Sequence, residues 1–316
     1  MTDFMIVSMF SVRWHMITKY HETNDKLLML YELQGRVNLS KKDYDVLMRY
    51  LSGLEGERKF LDVMCDLEGV VILWDIYLEN YSAQFDFLVI AGQYVFHFDV
   101  KHYSGVYEYK DGLFKGANGR VNKKLMLQLT GSEAGLNQFL LHHGFHYKVA
   151  SRVVFMNESF QLIGDTDKYI LFYYDLGRVV KYLKGSAGIS DAMMRLSDTL
   201  IAHHGDDSKF YNIDDYDIEI VRTGVRCPKC RRVGMSRDGK GHKYRCRCGH
   251  TVSNREAVDI VYRMLQVFRV KSIRKCDLNR HLGMPDRTIK RILKQYYNKN
   301  GTGRGTYYTK DCVEEE

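Results

Sequence analysis

The fold of the first two thirds of the chain is decided by the stretch Gln84-Phe-Asp-Phe-Leu-Val-Ile-Ala-Gly-Gln-Tyr-Val-Phe-His-Phe-Asp-Val-Lys101. Apolar residues are dense on both sides of Gly92-Gln93, which predicts two antiparallel strands joined by a two-residue turn. With that turn Asp86 lies opposite Asp99, and Lys101 shares their face of the sheet. The other face is predicted to be the core side, and it carries Phe85, Phe87, Val89, Phe96, Phe98 and Val100.

The paired carboxylates of this hairpin predict a metal site. Two carboxylates that face each other repel unless a cation lies between them. A lysine beside them stabilises charge that develops on a phosphate, or activates a water. A one-residue change in the turn would separate Asp86 from Asp99, although Asp99 and Lys101 would still share a face. The alternative interpretation of this Asp-x-Lys tripeptide is an exposed ion pair on a strand.

The segments around the hairpin predict an α/β domain. Leucine, phenylalanine and methionine recur near a 3.6-residue period in residues 41–68, which indicates a helix. Further strands are predicted at residues 70–74, 105–109, 151–156 and 169–174, and further helices at residues 122–147 and 177–205. Residues 206–220 form an acidic, irregular connector. Helix, strands, helix and strand in this order are typical of an α/β fold.

Residues of about 53–180 resemble the nuclease-related domain (NERD), a branch of the restriction-endonuclease-like superfamily with its PD-(D/E)xK core. The matching stretches are Gly56-Glu57, Phe85-Asp86, Asp99-Val-Lys-His-Tyr-Ser-Gly105 and Gln128. The resemblance implies a mixed sheet flanked by helices. This chain departs from the family pattern in two places. The family usually has glutamate where this chain has Asp99. It also has an Asn-Pro before the helical glutamine, whereas Asn122 here lacks the proline and lies six residues ahead of Gln128.

The resemblance also implies roles for individual residues of the site. Asp86 and Asp99 would bind Mg²⁺ or Mn²⁺, with the Val100 carbonyl as a third ligand. Lys101 would act on the attacking water or on the charge of the transition state. Glu57 would support the metal directly or through water, and Gln128 would position the nucleophile. Glu57 as a plain surface residue of its helix is the alternative.

Four cysteines predict a zinc ribbon. Cys227-Pro-Lys-Cys230 and Cys246-Arg-Cys248 each fit one knuckle of a β-hairpin, and four thiolates suit a closed structural zinc site. A segment this short has too little apolar mass to fold without its metal. His242 or His250 is the alternative to one cysteine ligand. Tyr244 is predicted to stack on bases, amid basic residues predicted to contact phosphates: Arg231, Arg232, Lys243 and Arg245.

The following residues predict a winged-helix-like module. Ser253 or Asn254 caps a first helix, a short second helix covers residues 277–282, and Asp286 caps a third helix that ends at Tyr296. Residues 300–310 form the hairpin wing, with Arg304 at its tip. The third helix is expected to enter nucleic acid with Arg287, Thr288, Lys290, Arg291 and Lys294. A plain basic three-helix bundle is the alternative.

The charge of the 316-residue chain is unevenly distributed. Residues 222–310 hold 24 Lys and Arg against five Asp and Glu, whereas residues 1–221 hold 23 against 30. A basic C-terminal third attracts phosphate backbones. No signal peptide and no run of about 18 apolar residues is evident, which favours a cytoplasmic protein without a membrane partner. Cysteines in such a protein argue against a disulfide framework.

Together these patterns predict a metal-dependent nuclease that hydrolyses phosphodiester bonds, with DNA as the expected partner and RNA as the alternative. A non-catalytic DNA-binding regulator with a degenerate nuclease fold is the competing function. The predicted segments are an N-terminal extension of unknown role (1–50), the nuclease-related domain (51–182), a helical and acidic connector (183–222), the zinc ribbon (223–252) and the winged-helix-like domain (253–311). Strand preference, endo or exo cutting, and oligomeric state stay open.

Overall fold

The computed structural model describes residues 17–310, apart from 118, 120, 166, 186–187, 218, 220, 239–240, 269 and 271. The described chain divides into two compact units, called here the sheet unit and the cysteine unit. The sheet unit comprises residues 17–22 and 48–210, and the cysteine unit comprises residues 23–47 and 211–310. Within these ranges no helix is both long enough and apolar enough to cross a membrane. The first 16 residues of the predicted N-terminal extension lie outside the described residues.

Groups of helices and groups of strands follow one another along the chain. The helices of the described residues are α1 (Asp25–Leu33), α2 (Lys41–Met64), α3 (Leu125–His142), α4 (Leu176–Leu183), α5 (Asp191–Ala202), α6 (Asn254–Val267), α7 (Lys275–Leu282) and α8 (Asp286–Tyr296). The strands are β1 (Ile17–Lys19), β2 (Val71–Leu78), β3 (Ala83–Ala91), β4 (Tyr94–Lys101), β5 (Gly105–Lys110), β6 (Leu113–Gly116), β7 (Val121–Asn122), β8 (Lys148–Phe155), β9 (Phe160–Gly164), β10 (Ile170–Phe172), β11 (Ser236–Arg237), β12 (Lys243–Arg245), β13 (Thr251–Ser253), β14 (Asn298–Asn300) and β15 (Tyr307–Thr309).

The sheet unit is built on a six-stranded mixed sheet in the order β1-β2-β3-β4-β8-β10. Strands β2, β3 and β4 are antiparallel, whereas β4, β8 and β10 run parallel. Apolar residues of α3 and α5, among them Leu136 and Leu196, pack on one face of this sheet. On the other face, Phe60 of α2 contacts Phe87 and Phe98 with ring centroids 4.7 and 5.1 Å apart. The predicted mixed sheet flanked by helices is therefore confirmed.

The hairpin of β3 and β4 has the predicted register. Ala91 pairs with Tyr94 and Phe87 pairs with Phe98, so the same two-residue turn joins the strands. Gly92 at this turn has a φ of 56°, a left-handed conformation that glycine adopts without steric cost. The predicted register is therefore confirmed for the pairs from Phe87–Phe98 to Ala91–Tyr94.

The predicted alternation of faces is wrong for Phe85. Phe85 packs in the same hydrophobic cluster as Leu88 and Ile90, so the strand changes faces between residues 85 and 88. The neighbouring strand β2 changes faces at the matching point, because Leu73 and Ile76 belong to this cluster too. At this point Asp75 has a φ of 64°, a strained conformation for a residue with a side chain. Asp86 therefore lies at a local irregularity that a strict period of two does not predict.

Helix boundaries in the sheet unit differ from the predicted ones in two places. The predicted helix 177–205 is two helices, α4, which ends at Leu183, and α5, which begins at Asp191. Ser190 starts α5 by accepting a hydrogen bond at its side chain from the Met193 amide. The predicted helix 122–147 begins at Leu125 and ends at His142. Periodicity predicted both helical regions. It did not predict the residues at which the helices begin and end, which depend on capping groups.

The cysteine unit has one continuous core. Cys227, Tyr244 and Val252, from the segment of the predicted ribbon, pack in the same hydrophobic cluster as Val261 of α6 and Ile289 of α8. The Tyr244 hydroxyl donates to the Leu282 carbonyl at 2.7 Å. The four-cysteine segment and the C-terminal helices therefore fold against each other.

Helix α1 belongs to this unit through a buried arginine. Arg226, which is 1% exposed, donates to the Glu32 carboxylate at 3.3 Å and to the carbonyls of Glu32 and Gln34 at 2.6 and 2.8 Å. Asp43 accepts a hydrogen bond from the Tyr216 hydroxyl at 2.6 Å and further ties the N-terminal segment to residues after 210. The predicted segment boundaries stay predictions. The sequence analysis did not assign residues 23–47 to the cysteine unit.

Candidate functional site

Two strand ends bring three predicted site residues together. The Lys101 ammonium lies 2.8 Å from Asp99 Oδ1 and 3.9 Å from Asp86 Oδ2. The Val100 amide donates to Asp86 Oδ2 at 2.7 Å, which fixes this carboxylate against β4. The three side chains are between 6% and 19% exposed, so the cluster is largely shielded from water but not sealed.

Glu57 approaches this cluster from α2. Its Oε2 atom accepts a hydrogen bond from Trp74 Nε1 at 2.7 Å. The preceding Gly56 is buried, and a Cβ atom there would lie 2.8 Å from the Cβ of His102, just beyond Lys101. Glycine costs about 1 kcal/mol in a helix interior relative to alanine. Its presence here allows α2 to pack closely against the end of β4, which brings Glu57 to the strand ends.

Burial and mutual charge dominate the electrostatics of the cluster. Burial raises the pKa of Asp86 well above its ordinary value; Lys101 opposes this shift, whereas Asp99 and Glu57 add to it. Burial also raises the pKa of Glu57. Burial alone would lower the pKa of Lys101, but Asp99 and Asp86 reverse that effect and raise it. Three carboxyl groups thus lie near one ammonium, and burial favours the neutral form of two of them, Asp86 and Glu57.

The donor set of this cluster fits a hard divalent cation. Asp99 Oδ2 is buried and has no hydrogen-bond partner among the described residues, which leaves one carboxylate oxygen for a cation. Carboxylate oxygens are the ligands that Mg²⁺ and Mn²⁺ prefer. The oxygens of Glu57, Asp86 and Asp99 do not converge as a three-ligand group, since in the described chain only four cysteines do so. The Lys101 ammonium lies between Asp99 and Asp86.

Gln128 and Val100, the other predicted residues of this site, and the neighbouring His97 lie in different surroundings. Gln128 is exposed on α3, and within the described residues its amide has no hydrogen bond to the carboxylates. Val100 is buried on β4 and pairs with Val154. His97, on the same strand, is buried and contacts Ser151 Oγ through Nδ1 at 3.2 Å. Burial lowers the pKa of His97 to about 4, so this histidine is neutral at pH 7.

Comparison with protein families bears on this cluster. Residues 52–156 match the family model of the nuclease-related domain. The matched segment contains Glu57, Asp86, Asp99, Lys101 and Gln128. It covers about a third of the chain and ends before the four cysteines, so it supports a nuclease-related function for the sheet unit alone. Searches of curated proteins and of solved structures found no match.

Sequence reasoning missed a polar cluster beside Glu57. Part of this cluster lies before the matched segment. His21 Nδ1 lies 2.8 Å from Asp75 Oδ2, and His21 Nε2 lies 3.0 Å from the Tyr50 hydroxyl. The His21 ring contacts Trp74, the residue that donates to Glu57. Asp75 within an apolar strand was the available signal, because an isolated carboxylate there requires a partner.

The four predicted cysteine ligands converge in the cysteine unit. The sulfur atoms of Cys227, Cys230, Cys246 and Cys248 all lie within 4.8 Å of one another. Cys230 and Cys246 are 3.4 Å apart, and Cys227 and Cys248 are 3.7 Å apart. Zinc bound tetrahedrally with Zn–S distances of about 2.3 Å separates its sulfur ligands by about 3.8 Å. The two shortest separations are close to this value, so the cluster could hold a zinc ion.

Two tight turns position these cysteines. The Arg231 amide donates to the Cys227 carbonyl at 2.9 Å, and Arg231 has a φ of 62°. In the second turn the Gly249 amide donates to the Cys246 carbonyl at 2.9 Å, and Gly249 has a φ of 87°. Both turns place a left-handed residue directly after the second cysteine of a pair. Because the four sulfurs supply the whole cluster, neither predicted alternative histidine is needed as a ligand.

The basic residues predicted to contact nucleic acid lie mostly at the surface of the cysteine unit. The exposed ones are Arg231, Arg232, Lys243, Arg245, Arg287, Lys290, Arg291, Lys294 and Arg304, whereas Thr288 is half-buried. Helix α8 buries Ile289, Ile292 and Leu293, as its apolar periodicity predicts. Within the described chain, the four exposed basic residues of α8 form no ion pair with a carboxylate. They thus present uncompensated positive charge to solvent.

Three sequence predictions for this unit meet different outcomes. Ser253 caps α6 by accepting from the Glu256 amide at 3.2 Å, as expected. Asp286 is wrong as a cap, since Pro285 precedes the helix and the Asp286 carboxylate pairs with Lys275. Base stacking by Tyr244 is wrong as well, because its ring is 2% exposed and packs in the core. The tyrosine ring is buried in the shared core although its sequence neighbours are basic.

Proposed function

We propose that the protein is a metal-dependent nuclease whose active site is the cluster of Glu57, Asp86, Asp99 and Lys101. The observation that carries this proposal is the Lys101 ammonium held between Asp99 and Asp86, inside the segment that matches the nuclease-related domain. A buried excess of carboxylates is costly to the folded state, so it is retained where function needs it.

Each side chain of the cluster has a role in this proposal. Asp86 and Asp99 would hold Mg²⁺ or Mn²⁺, with the Val100 carbonyl as a further ligand. When bound, the ion supplies Lewis-acid polarisation of the scissile phosphate. Lys101 donates hydrogen bonds to the phosphate oxygen on which negative charge develops. Glu57, fixed by its bond from Trp74, supports the cation site from α2.

Gln128 would position the attacking water from α3. Its exposed amide lies on the helix whose Leu125 and Leu129 pack against Val153 and Phe155 of β8. An amide both donates and accepts hydrogen bonds, so it orients a water without changing charge. This role requires the amide to turn toward the strand ends when substrate is bound.

The cysteine unit would supply nucleic-acid affinity through a zinc ribbon and a winged-helix-like module. Helices α7 and α8 are joined by a short turn at Gly283, and the β14–β15 hairpin follows, which is the element order of that module. Its exposed basic side chains would bind phosphates, with α8 as the recognition helix. DNA is the expected partner, and RNA is the alternative.

Cleavage assays test the enzymatic part of the proposal. Supercoiled plasmid, linear duplex, single-stranded DNA and RNA are incubated with the protein in Mg²⁺, in Mn²⁺ and in EDTA, with Lys101→Ala alongside. We expect cleavage that requires metal and is lost in the variant, while binding of the same substrate stays near the wild-type value. Tight salt-sensitive binding without cleavage of any substrate would favour the competing function, a non-catalytic DNA-binding regulator.

A further inference from the structure

Two exposed tyrosines lie at the same edge of the sheet as the candidate active site. Strands β4, β8 and β10 run parallel, and their register aligns Lys101 with Phe155 and Phe155 with Phe172. Neighbouring strands are about 4.8 Å apart, so Phe172 lies roughly 10 Å from Lys101 across the sheet. Tyr173 and Tyr174 follow Phe172 directly, at the end of β10. Their position is therefore one or two nucleotides away from a phosphate at Lys101.

A run of packed aromatic rings connects the active site with these tyrosines. Tyr103, two residues beyond Lys101, contacts Phe155, and Phe155 stacks on Phe160 with ring centroids 3.9 Å apart. Phe160 and Phe155 both contact Phe172, at 6.1 and 6.3 Å. Phe172 in turn stacks on Tyr174 at 5.2 Å with an interplanar angle of 11°. Tyr174 thus rests on a fixed aromatic base.

Both tyrosine rings remain open to solvent, Tyr174 on this base and Tyr173 edge-on to Tyr174 with ring centroids 5.5 Å apart. Tyr174 is 65% exposed and Tyr173 is 40% exposed. Asp175 stabilises the turn that carries them, because its carboxylate accepts from the Phe172 amide at 2.9 Å and pairs with Arg178. The Arg178 side chain is 84% exposed, and its charge lies close enough to Tyr174 to act on that hydroxyl electrostatically. Stable, exposed aromatic rings next to a cation are typical of surfaces that stack bases and contact phosphates.

We propose that Tyr173 and Tyr174 form a stacking platform that binds unpaired bases of a nucleic-acid strand beside the active site. This inference rests on the proposed nuclease function and names its substrate class: a single strand, or a duplex with a single-stranded segment. Bases within a duplex have both faces covered by their neighbours, so only unpaired bases offer a face to these rings. Arg178 binds the phosphate that follows the stacked base.

Binding measurements on the full chain in EDTA test the platform without cleavage. The probes are a fluorescein-labelled 20-nucleotide oligothymidylate and a labelled 20-base-pair duplex, and the variant is Tyr173→Ala plus Tyr174→Ala. Stacking of a base on an aromatic ring is worth about 1–3 kcal/mol. We therefore expect at least about tenfold weaker binding of the single strand, with duplex affinity within about twofold of wild type.

Two control variants separate stacking from other effects. Tyr182→Ala removes a tyrosine of the same region that is 64% exposed but contacts Phe96, in the first half of β4 and away from the strand ends. It should bind the single strand like wild type. Replacing both platform tyrosines by phenylalanine keeps the rings and should restore affinity to within about threefold. Photocrosslinking of an oligonucleotide that contains 5-iodouracil should modify Tyr173 or Tyr174.

The outcomes distinguish this inference from the proposed function. Unchanged single-strand affinity of the alanine variant, together with crosslinks confined to the cysteine unit, would overturn the platform and leave the nuclease standing. Equal losses for single strand and duplex would also overturn it. Ring-dependent binding of the single strand by a chain that cleaves nothing would establish the platform and remove the nuclease.

Discussion

Replacing Gly56 by alanine tests the placement of Glu57 at the strand ends. The new Cβ would lie 2.8 Å from the His102 Cβ, a distance that two such atoms do not adopt. Helix α2 must therefore move away from the end of β4 by a few tenths of an ångström or more. Glu57 moves with it, and its bond from Trp74 and its distance to the Asp86 and Asp99 pair change. We expect a loss of activity that exceeds the loss of stability.

Two opposing effects set the size of the stability change. Alanine in a helix interior is favoured over glycine by about 1 kcal/mol. Overpacking of a close contact costs about 1–3 kcal/mol. Gly53 in the same helix provides a matched control, because a Cβ there would lie 3.8 Å from its nearest neighbour, Glu57 Oε1, which is an ordinary van der Waals contact that does not displace Glu57. Gly53→Ala should therefore raise the free energy of unfolding by about 1 kcal/mol, whereas Gly56→Ala should lower it by up to about 2 kcal/mol.

Urea unfolding, followed by tryptophan fluorescence, measures the stability of both variants, since Trp74 is buried in the sheet unit. Metal-dependent cleavage is measured in the same samples at a temperature where both are fully folded. We expect Gly53→Ala to be as active as wild type and Gly56→Ala to lose at least about tenfold. If Gly56→Ala matched Gly53→Ala in stability and in cleavage rate, the close packing of α2 on β4 would not position Glu57.

Three further predictions concern the cysteine unit. Cys227→Ser with Cys230→Ser should remove zinc, as measured by metal analysis, and should melt the core that these cysteines share with the C-terminal helices; unchanged metal content and DNA affinity would contradict the ribbon. Arg226→Met should lower the free energy of unfolding by about 3 kcal/mol, because it removes the nearest cation from the buried Glu32 and the donor to the carbonyls of Glu32 and Gln34, whereas the exposed Lys229→Met should change it by less than about 0.5 kcal/mol; equal effects in urea titrations would refute the buried pair. Burial lowers the pKa of His281 from 6.5 to about 4, so its contribution to stability is complete above pH 6.5 and is lost as the pH falls toward 4. Relative to His281→Leu, the wild type should therefore lose up to about 3 kcal/mol over that interval, and parallel stability curves would show that this histidine does not titrate on unfolding.

Sequence patterns were sufficient to predict the hairpin and the residues it brings together. They did not predict how neighbouring elements pack around the hairpin. The turn at Gly92 fixed the register, so Asp86, Asp99 and Lys101 were predicted to be neighbours from the sequence alone. The change of faces in β2 and β3 near Asp75, where the backbone is left-handed, could not be predicted from the periodicity of the sequence. The structure does not bring Gln128 to the carboxylates, because helical periodicity gives the face of a residue and not its distance from another element.

In the C-terminal half too, the sequence predicted local structure but not long-range packing. Cysteine spacing predicted which sulfur atoms converge, since a metal knuckle is a local structure. The burial of Tyr244 and the packing of α1 against Arg226 depend on which elements share a core. The hydrogen bonds of Arg226 to Glu32 and Gln34 join residues 194 and 192 positions apart, and neither composition nor periodicity predicts such contacts.

The rate of metal-dependent phosphodiester cleavage by wild type and by Asp99→Asn, measured on one substrate at equal bound fraction, tests the central claim most directly. Asparagine keeps the shape of Asp99 but removes the charge that holds Lys101 and would hold the cation. The account predicts cleavage by the wild type in Mn²⁺ or Mg²⁺, none in EDTA, and at least about a hundredfold loss in Asp99→Asn with binding retained. Cleavage by Asp99→Asn at the wild-type rate would contradict it, because the chemistry would then lie outside this cluster.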